Sequence, residues 1–335
     1  MKVVINFHLG KDVRIAVPDQ VLETLRARFP AVTFVPADDE DTMARESADA
    51  DVFFGWQFPE RLVPAAKNLR WIQSGSAGIE ESLSPAVRAS DILLCNGSGI
   101  GGVVVAEHTI ALMMALARNL HVAARMQAEA RWARGELIGA LGGVREFRGS
   151  KVAVLGLGPI GLGVAERSAA LGAVVRGMRR RPPATPPAPF EAVVGPAELP
   201  SLLPWADFVV LAVPHTLDTE RLIGKRELDL MRSEAYLVNI ARGSVVDEAA
   251  LVDGLRRGAI AGAALDVFEE EPLPPAHPLW SLPNVICTPH VGGAMPNYLW
   301  RATELFIDNL ARFLDGRPLR NLVDKVAGYP SSPVE

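Results

Sequence analysis

Only two cysteines, Cys95 and Cys287, occur in 335 residues. Two thiols so far apart make neither a disulfide framework nor a zinc cluster, and they point to a reducing compartment, the cytoplasm. An excess of one charge is missing too: 34 Lys and Arg stand against 39 Asp and Glu, a net charge of −5 with a pI near 5.8. That balance argues against a general nucleic-acid binder, whose footprint is a basic patch. The amino terminus, MKVVINFHLGKDVRIAVPDQ, lacks a small-residue cleavage site. It reads as a first strand followed by a charged helix-like stretch, not as a signal peptide. A long apolar run without charge is also absent. The most membrane-like segment, GIGGVVVAEHTIALMMALA from Gly99 to Ala117, carries Glu107 and His108 in its middle and is expected as a buried core helix, not a membrane span. His8, His108, His121, His215 and His277 show no metal-ligand spacing and are expected to be structural or exposed, so no metal is expected.

What is present is rhythm. A chain of this length is enough for roughly two domains of about 150 residues each. The first hundred residues alternate β-branched or aromatic runs with helix-like segments: KVVINF, PDQVLETLRARF, AVTFV, DVFFGW, RLVPAAKNL, RWIQ and DILLC. This alternation predicts an α/β fold with a parallel, doubly wound sheet. The apolar segment from Gly99 then runs on through ARNLHVAARMQAEARWARG, which predicts one long helix joining two domains. A second alternation follows through KVAVL, AVVRGM, DFVVLAVP, AYLVNI, IAGAALDVF and NVICTPH, with helical stretches such as EAALVDGLRRG between them. The five prolines of RRRPPATPPAPF, Arg179 to Phe190, fall between two of these strands and read as a surface loop. A last helix over about Tyr298 to Leu314 is followed by an irregular tail that is expected to return to the first domain. Trp56 reads as a core or rim residue, and Trp132 as a candidate subunit contact.

GLGPIG, Gly156 to Gly161, follows the strand KVAVL and opens the helical run PIGLGVAERSAALG. In that context the three glycines have separate uses. Gly156 permits a tight turn, Gly158 lets the backbone approach a pyrophosphate, and Gly161 allows close helix packing. The helix amino terminus adds free N–H donors for phosphate. The next strand ends in Arg179, Arg180 and Arg181, with Arg179 eighteen residues beyond Gly161, where NAD-binding proteins usually carry an acidic side chain for the ribose 2′-hydroxyl. A guanidinium fork suits a 2′-phosphate, so NADP is favoured, with NAD as the alternative.

Three further segments follow in order: VNIARGSVVDEAAL from Val238, AALDVFEEEPL from Ala263 and NVICTPHVGG from Asn284. With GLGPIG, with SAGIE at Ser76 and with VVVAEHTIALMMALAR, the chain resembles the D-isomer-specific 2-hydroxyacid dehydrogenase family over nearly its whole length, including glyoxylate/hydroxypyruvate reductase-like members. The resemblance implies a Rossmann-type cofactor domain inserted into a flavodoxin-like substrate domain. The expected boundaries are residues 1–100 with 294–335 for the substrate domain and 101–293 for the NAD(P)-binding domain. It also implies a homodimer, with the long apolar helix at the interface.

Residue by residue, the resemblance assigns Arg242, Glu271 and His290 to catalysis. It assigns Pro159, Ile160, Val213, Ile240, Ala241, Arg242, Asp266, His290 and Gly292 to the cofactor, beside Gly156, Gly158, Gly161, Arg179 and Arg180. Ala77 and Gly78, with Arg242 and His290, are assigned to the substrate. The chemistry needs these residue types. A guanidinium holds a carboxylate and polarises a carbonyl as charge develops on oxygen, an imidazolium gives that oxygen a proton, and a carboxylate beside the imidazole favours its charged form. The implied activity is hydride transfer between NADP(H) and a small 2-keto acid, most simply glyoxylate or hydroxypyruvate, giving the D-hydroxy acid. Two alternatives stand beside it. One is an NAD(P)-sensing binding protein on the same fold. The other is a phosphoglycerate dehydrogenase, although the chain is expected to stop about where a catalytic unit would.

Overall fold

The computed structural model describes residues 1–9, 13–140 and 143–330. Residues 331–335, the end of the expected substrate domain, lie outside the described residues, as do Gly10–Asp12 in the expected helix-like stretch. The chain divides into two compact units, Met1–Gly101 with Met295–Glu335, and Gly102–Ala294.

The first unit is built on β1 (Lys2–Leu9), β2 (Val13–Ile15), β3 (Thr33–Pro36), β4 (Val52–Gly55), β5 (Trp71–Ser74) and β6 (Leu93–Cys95). Five of these run parallel in the order β3-β1-β4-β5-β6. That is the flavodoxin-like 2-1-3-4-5 order of a doubly wound sheet. Strands covered on both faces read as near-continuous apolar runs, and β4 is buried throughout, Phe53 serving one face and Phe54 the other. On the Phe54 side the helix Tyr298–Leu314 closes the layer, Phe306 stacking on Phe54 at 4.2 Å between centroids.

Three expectations for this unit are corrected. The stretch after β1 is not helix-like over Val13–Ile15: these residues form an antiparallel partner to β1, His8 opposite Arg14, and the helix begins only at Asp19 after Pro18. RLVPAAKNL yields only a three-residue 3-10 turn, Glu60–Leu62, because Pro64 has no N–H to give a continuing helix. The tail is more regular than expected. It returns to pair Leu322 with Cys95, and a short antiparallel pair joins Val323–Asp324 to Tyr329–Pro330.

The second unit holds β7 (Lys151–Leu155), β8 (Val174–Met178), β9 (Ala192–Val194), β10 (Phe208–Leu211), β11 (Tyr236–Asn239), β12 (Gly262–Leu265) and β13 (Val285–Cys287). All are parallel, in the order β13-β12-β11-β10-β7-β8-β9. This is the Rossmann-type 3-2-1-4-5-6 order with a seventh strand added. The order reverses between β7 and β10, which makes their carboxyl ends the topological switch point, where doubly wound sheets hold ligands. β9 has no counterpart in the expected alternation, being only three residues long and half-buried.

The expected single long helix is two. Gly102–Ala117 and Leu120–Ala128 are bent by 72° about Asn119, whose φ is +53°. Asparagine tolerates this left-handed conformation better than most residues. Here its buried amide also donates to the Ala140 carbonyl at 2.9 Å, which compensates the broken ladder. Among the described residues no single helix is long and apolar enough to cross a membrane. The Gly102–Ala117 helix packs instead against the Pro159–Ala170 helix and against β11 and β12.

Candidate active site

Adjacent parallel strands deliver their carboxyl ends to one edge. Asn239 of β11 pairs with Leu265 of β12, and Leu265 with Cys287 of β13. Within three residues beyond those ends stand Arg242, Asp266 and His290. Asn239 shapes the first of these exits. Its buried side chain accepts from the Ala241 N–H at 3.1 Å and donates to the Arg242 carbonyl at 2.9 Å, curling the chain so that Arg242 leaves the sheet.

His290 sits at φ +51°, left-handed backbone that a non-glycine residue occupies only when its surroundings enforce it. The enforcement is visible. Its N–H donates to the Asp266 carbonyl at 2.9 Å, and the next two N–H groups, of Val291 and Gly292, donate to the Asp266 carboxylate at 3.0 and 2.9 Å. Thr288 Oγ1 also donates to that carboxylate, and His108 Nε2 is hydrogen-bonded to Thr288 Oγ1 at 3.1 Å. Asp266, 3% exposed, is therefore the anchor of the loop that carries His290.

The ring of His290 meets Glu271, Nδ1 to Oε2 at 2.7 Å, while Glu271 Oε1 accepts from the Phe268 N–H at 2.9 Å. Both side chains remain partly open to solvent, at 49% and 36% exposure, and the pairing with Glu271 occupies Nδ1 and leaves Nε2 as the other ring nitrogen. Partial burial opposes charge on Glu271. The hydrogen bonds from His290 and Phe268, with the positive charge of His290 and Arg242, prevail and hold its carboxyl below the ordinary carboxylate range. The turn bearing Glu271 is fastened from the other side by Glu248. Its Oε2 accepts from the Glu269 N–H at 3.2 Å, and its Oε1 lies 3.1 Å from His277 Nε2.

At the switch point, Gly156 has φ +101°, and a Cβ there would lie 2.4 Å from the Ala212 carbonyl oxygen just after β10. A Cβ on Gly161 would lie 1.9 Å from the Gly156 oxygen, whereas one on Gly158 would meet no protein atom within 4 Å. Two glycines are thus imposed by the protein's own backbone, and the third faces open space at the start of the twelve-residue helix Pro159–Ala170. Free N–H groups of that helix end fit a dinucleotide's pyrophosphate. Pro159 and Ile160 occupy its first turn, and Val213, Ile240 and Ala241 are buried apolar residues just beyond β10 and β11. Arg179 and Arg180 are exposed directly after β8, the Arg179 N–H donating to Val194.

Ala77 and Gly78 belong to the first unit, in the loop after β5. Neither N–H has an acceptor among the described residues. Asn239, Thr288, His108 and Glu248 escaped the sequence reading as contributors to the site. The signals were faint: an Asn closing the apolar strand YLVN, and a His inside an apolar helix.

The family model described as D-isomer specific 2-hydroxyacid dehydrogenase, NAD binding domain, matches residues 110–292. D-3-phosphoglycerate dehydrogenase of Archaeoglobus fulgidus is 34% identical over 81% of this chain, but the chain spans only 50% of that protein's length. Glyoxylate/hydroxypyruvate reductase B of Serratia proteamaculans is 32% identical over 92% of this chain and 95% of its own. Among solved structures, the NADPH-dependent glyoxylate/hydroxypyruvate reductase of Sinorhizobium meliloti, in complex with NADP and sulfate, superposes with a TM-score of 0.82 at 26% identity, covering 98% of this chain and 99% of the other. On the match of its second unit and the near full-length likeness to these reductases, the chain belongs to the D-isomer specific 2-hydroxyacid dehydrogenase family, oxidoreductases that act on CH–OH donors.

Proposed function

We propose that the protein reduces a small 2-keto acid, glyoxylate or hydroxypyruvate first among them, to the D-2-hydroxy acid with NADPH. The second unit is the dinucleotide-binding domain and the first the substrate domain. The observation that carries the reading is the His290–Glu271 pair at 2.7 Å, standing with Arg242 beyond the ends of three neighbouring parallel strands. A dinucleotide held by the second unit would supply the hydride. Arg242 holds the carboxylate and draws charge onto the keto oxygen, and His290 gives that oxygen the proton from Nε2. Glu271 keeps the ring oriented and favours its protonated form, and the reverse reaction returns the proton to neutral imidazole. The N–H groups of Ala77 and Gly78 would receive the substrate carboxylate, and Asp266 would help hold the nicotinamide end of a bound dinucleotide. Oxidation of NADPH with glyoxylate, hydroxypyruvate and bulkier 2-keto acids tests the reading, and absence of turnover with all of them would overturn it.

The preference for NADPH rests on Arg179 and Arg180 standing exposed at the end of β8, where a ribose 2′-phosphate would reach a guanidinium and not a carboxylate. Arg179→Asp is expected to move the NADPH to NADH ratio of kcat/KM at least about tenfold toward NADH. An unchanged ratio would remove Arg179 from the 2′-phosphate site.

A homodimer is part of the proposal. Within the segment 103–138, Val103, Leu120, Trp132 and Ile138 are 47%, 54%, 95% and 54% exposed, large apolar side chains that a second copy would cover. Light scattering is expected to give twice the 36.0 kDa chain mass, and a monomer mass would refute it.

A further inference from the structure

The loop after β5 is held by its carbonyl oxygens. The Gly75 oxygen accepts from Tyr298 Oη, the Ser76 oxygen from the Gly97 N–H at 2.7 Å, and the Ala77 oxygen from Asn96 Nδ2 at 2.7 Å. A trans peptide unit is planar, with its C=O and the following N–H pointing in opposite directions. Each tied carbonyl therefore aims the next N–H. Gly75 aims that of Ser76, which is spent internally on Ser74 Oγ at 3.1 Å. Ser76 and Ala77 aim the N–H groups of Ala77 and Gly78, the two that have no acceptor among the described residues.

Asn96 does this from a rigid seat. It is 3% exposed, and its Oδ1 accepts from the Ser98 N–H at 3.1 Å. Its backbone N–H donates to the Asn321 oxygen, and its carbonyl accepts from Gln73 Nε2 and Asn321 Nδ2, each at 3.2 Å. Gln73 is fixed in turn by Asn309 Nδ2 at 2.8 Å, from the helix Tyr298–Leu314. A chain of buried amides thus runs from the C-terminal segment to one peptide of the loop. Buried amides are costly unless fully bonded, and a satisfied network of them holds a single geometry.

We propose that Asn96 is a positioning residue for substrate: by fixing the Ala77–Gly78 peptide it points the Gly78 N–H at the carboxylate of the 2-keto acid. The inference rests on the reading of this loop as the carboxylate site. It also makes the C-terminal segment through Asn321 part of the apparatus that sets keto-acid affinity.

The test compares the full-length wild type with Asn96→Ala, Asn96→Asp and Gly78→Pro. Measured are KM and kcat for glyoxylate and hydroxypyruvate at saturating NADPH, and the Kd of NADPH by fluorescence. Asn96→Asp is isosteric and keeps the acceptor for Ser98, so it reads the lost donor to Ala77 if the alanine variant does not fold. Loss of one charge-assisted hydrogen bond predicts a keto-acid KM raised at least about tenfold in all three variants, with kcat and NADPH affinity kept within about threefold. A raised KM in Gly78→Pro but wild-type KM in both Asn96 variants would overturn the positioning role and leave the carboxylate site standing. Wild-type KM in Gly78→Pro would overturn the carboxylate site itself. If both Asn96 variants lose the fold, or lose NADPH affinity in step with keto-acid affinity, Asn96 is a general structural residue and the proposal fails.

Discussion

Replacing His290 with alanine is expected to lower keto-acid reduction at least about a hundredfold, some 2.7 kcal/mol of transition-state stabilisation, while NADPH binding persists. The loop does not depend on the imidazole for its shape, because its backbone bonds run to Asp266. What disappears is the partner of Glu271 and, in the proposed reaction, the proton donor. Stopped-flow or steady-state rates beside a fluorescence titration with NADPH separate the two effects, and near-wild-type turnover would remove His290 from the chemistry. The pH dependence of wild-type stability, followed by denaturation, adds a second reading of the same pair. The Glu271 carboxyl lies below its ordinary range in the folded protein, so the stabilisation it gives is present above the unfolded value and is lost as pH falls through the lowered folded one. The acid limb due to this group is therefore expected below the usual carboxylate range.

Arg242→Gln is expected to be at least as damaging, on the order of a thousandfold in kcat/KM, because in the proposed reaction one guanidinium would serve both substrate carboxylate and developing oxyanion. Loss of the first raises KM, and loss of the second lowers kcat, so both should move. Arg242→Lys keeps the charge but not the planar fork, and it should recover only part of the rate. Unchanged kcat in Arg242→Gln would leave Arg242 with a binding role alone.

The glycine-rich turn was legible because backbone geometry leaves no substitute: Gly156 has φ +101°, and a side chain at Gly161 would strike the Gly156 oxygen. The alternation of apolar runs and amphipathic stretches likewise carries the two parallel sheets, since strands buried on both faces must be apolar throughout. Arg242, Glu271 and His290 were legible only as a set, through a resemblance. Singly, a strand-end arginine, one of three consecutive glutamates and a loop histidine have ordinary explanations. Other features depend on distant partners and leave little local trace. The bend at Asn119 interrupts a segment whose composition favours helix on both sides, and it is compensated by Ala140. The roles of Asn96 and Asn239 appear only when the carbonyls they hold are known.

The first unit is made from both ends of the chain, whereas the second is continuous from Gly102 to Ala294. During synthesis the second therefore has all seven of its strands before the helix Tyr298–Leu314 leaves the ribosome. Until then β1, β4 and β5 lack the layer that covers Phe7, Phe54 and Trp71, two of which stack on Phe306. At 5–20 residues per second, about 200 intervening residues leave that apolar face waiting roughly 10–40 s. The second unit is thus the early folder and the first the late one, and the burden of protecting a nascent sheet from aggregation falls on the first.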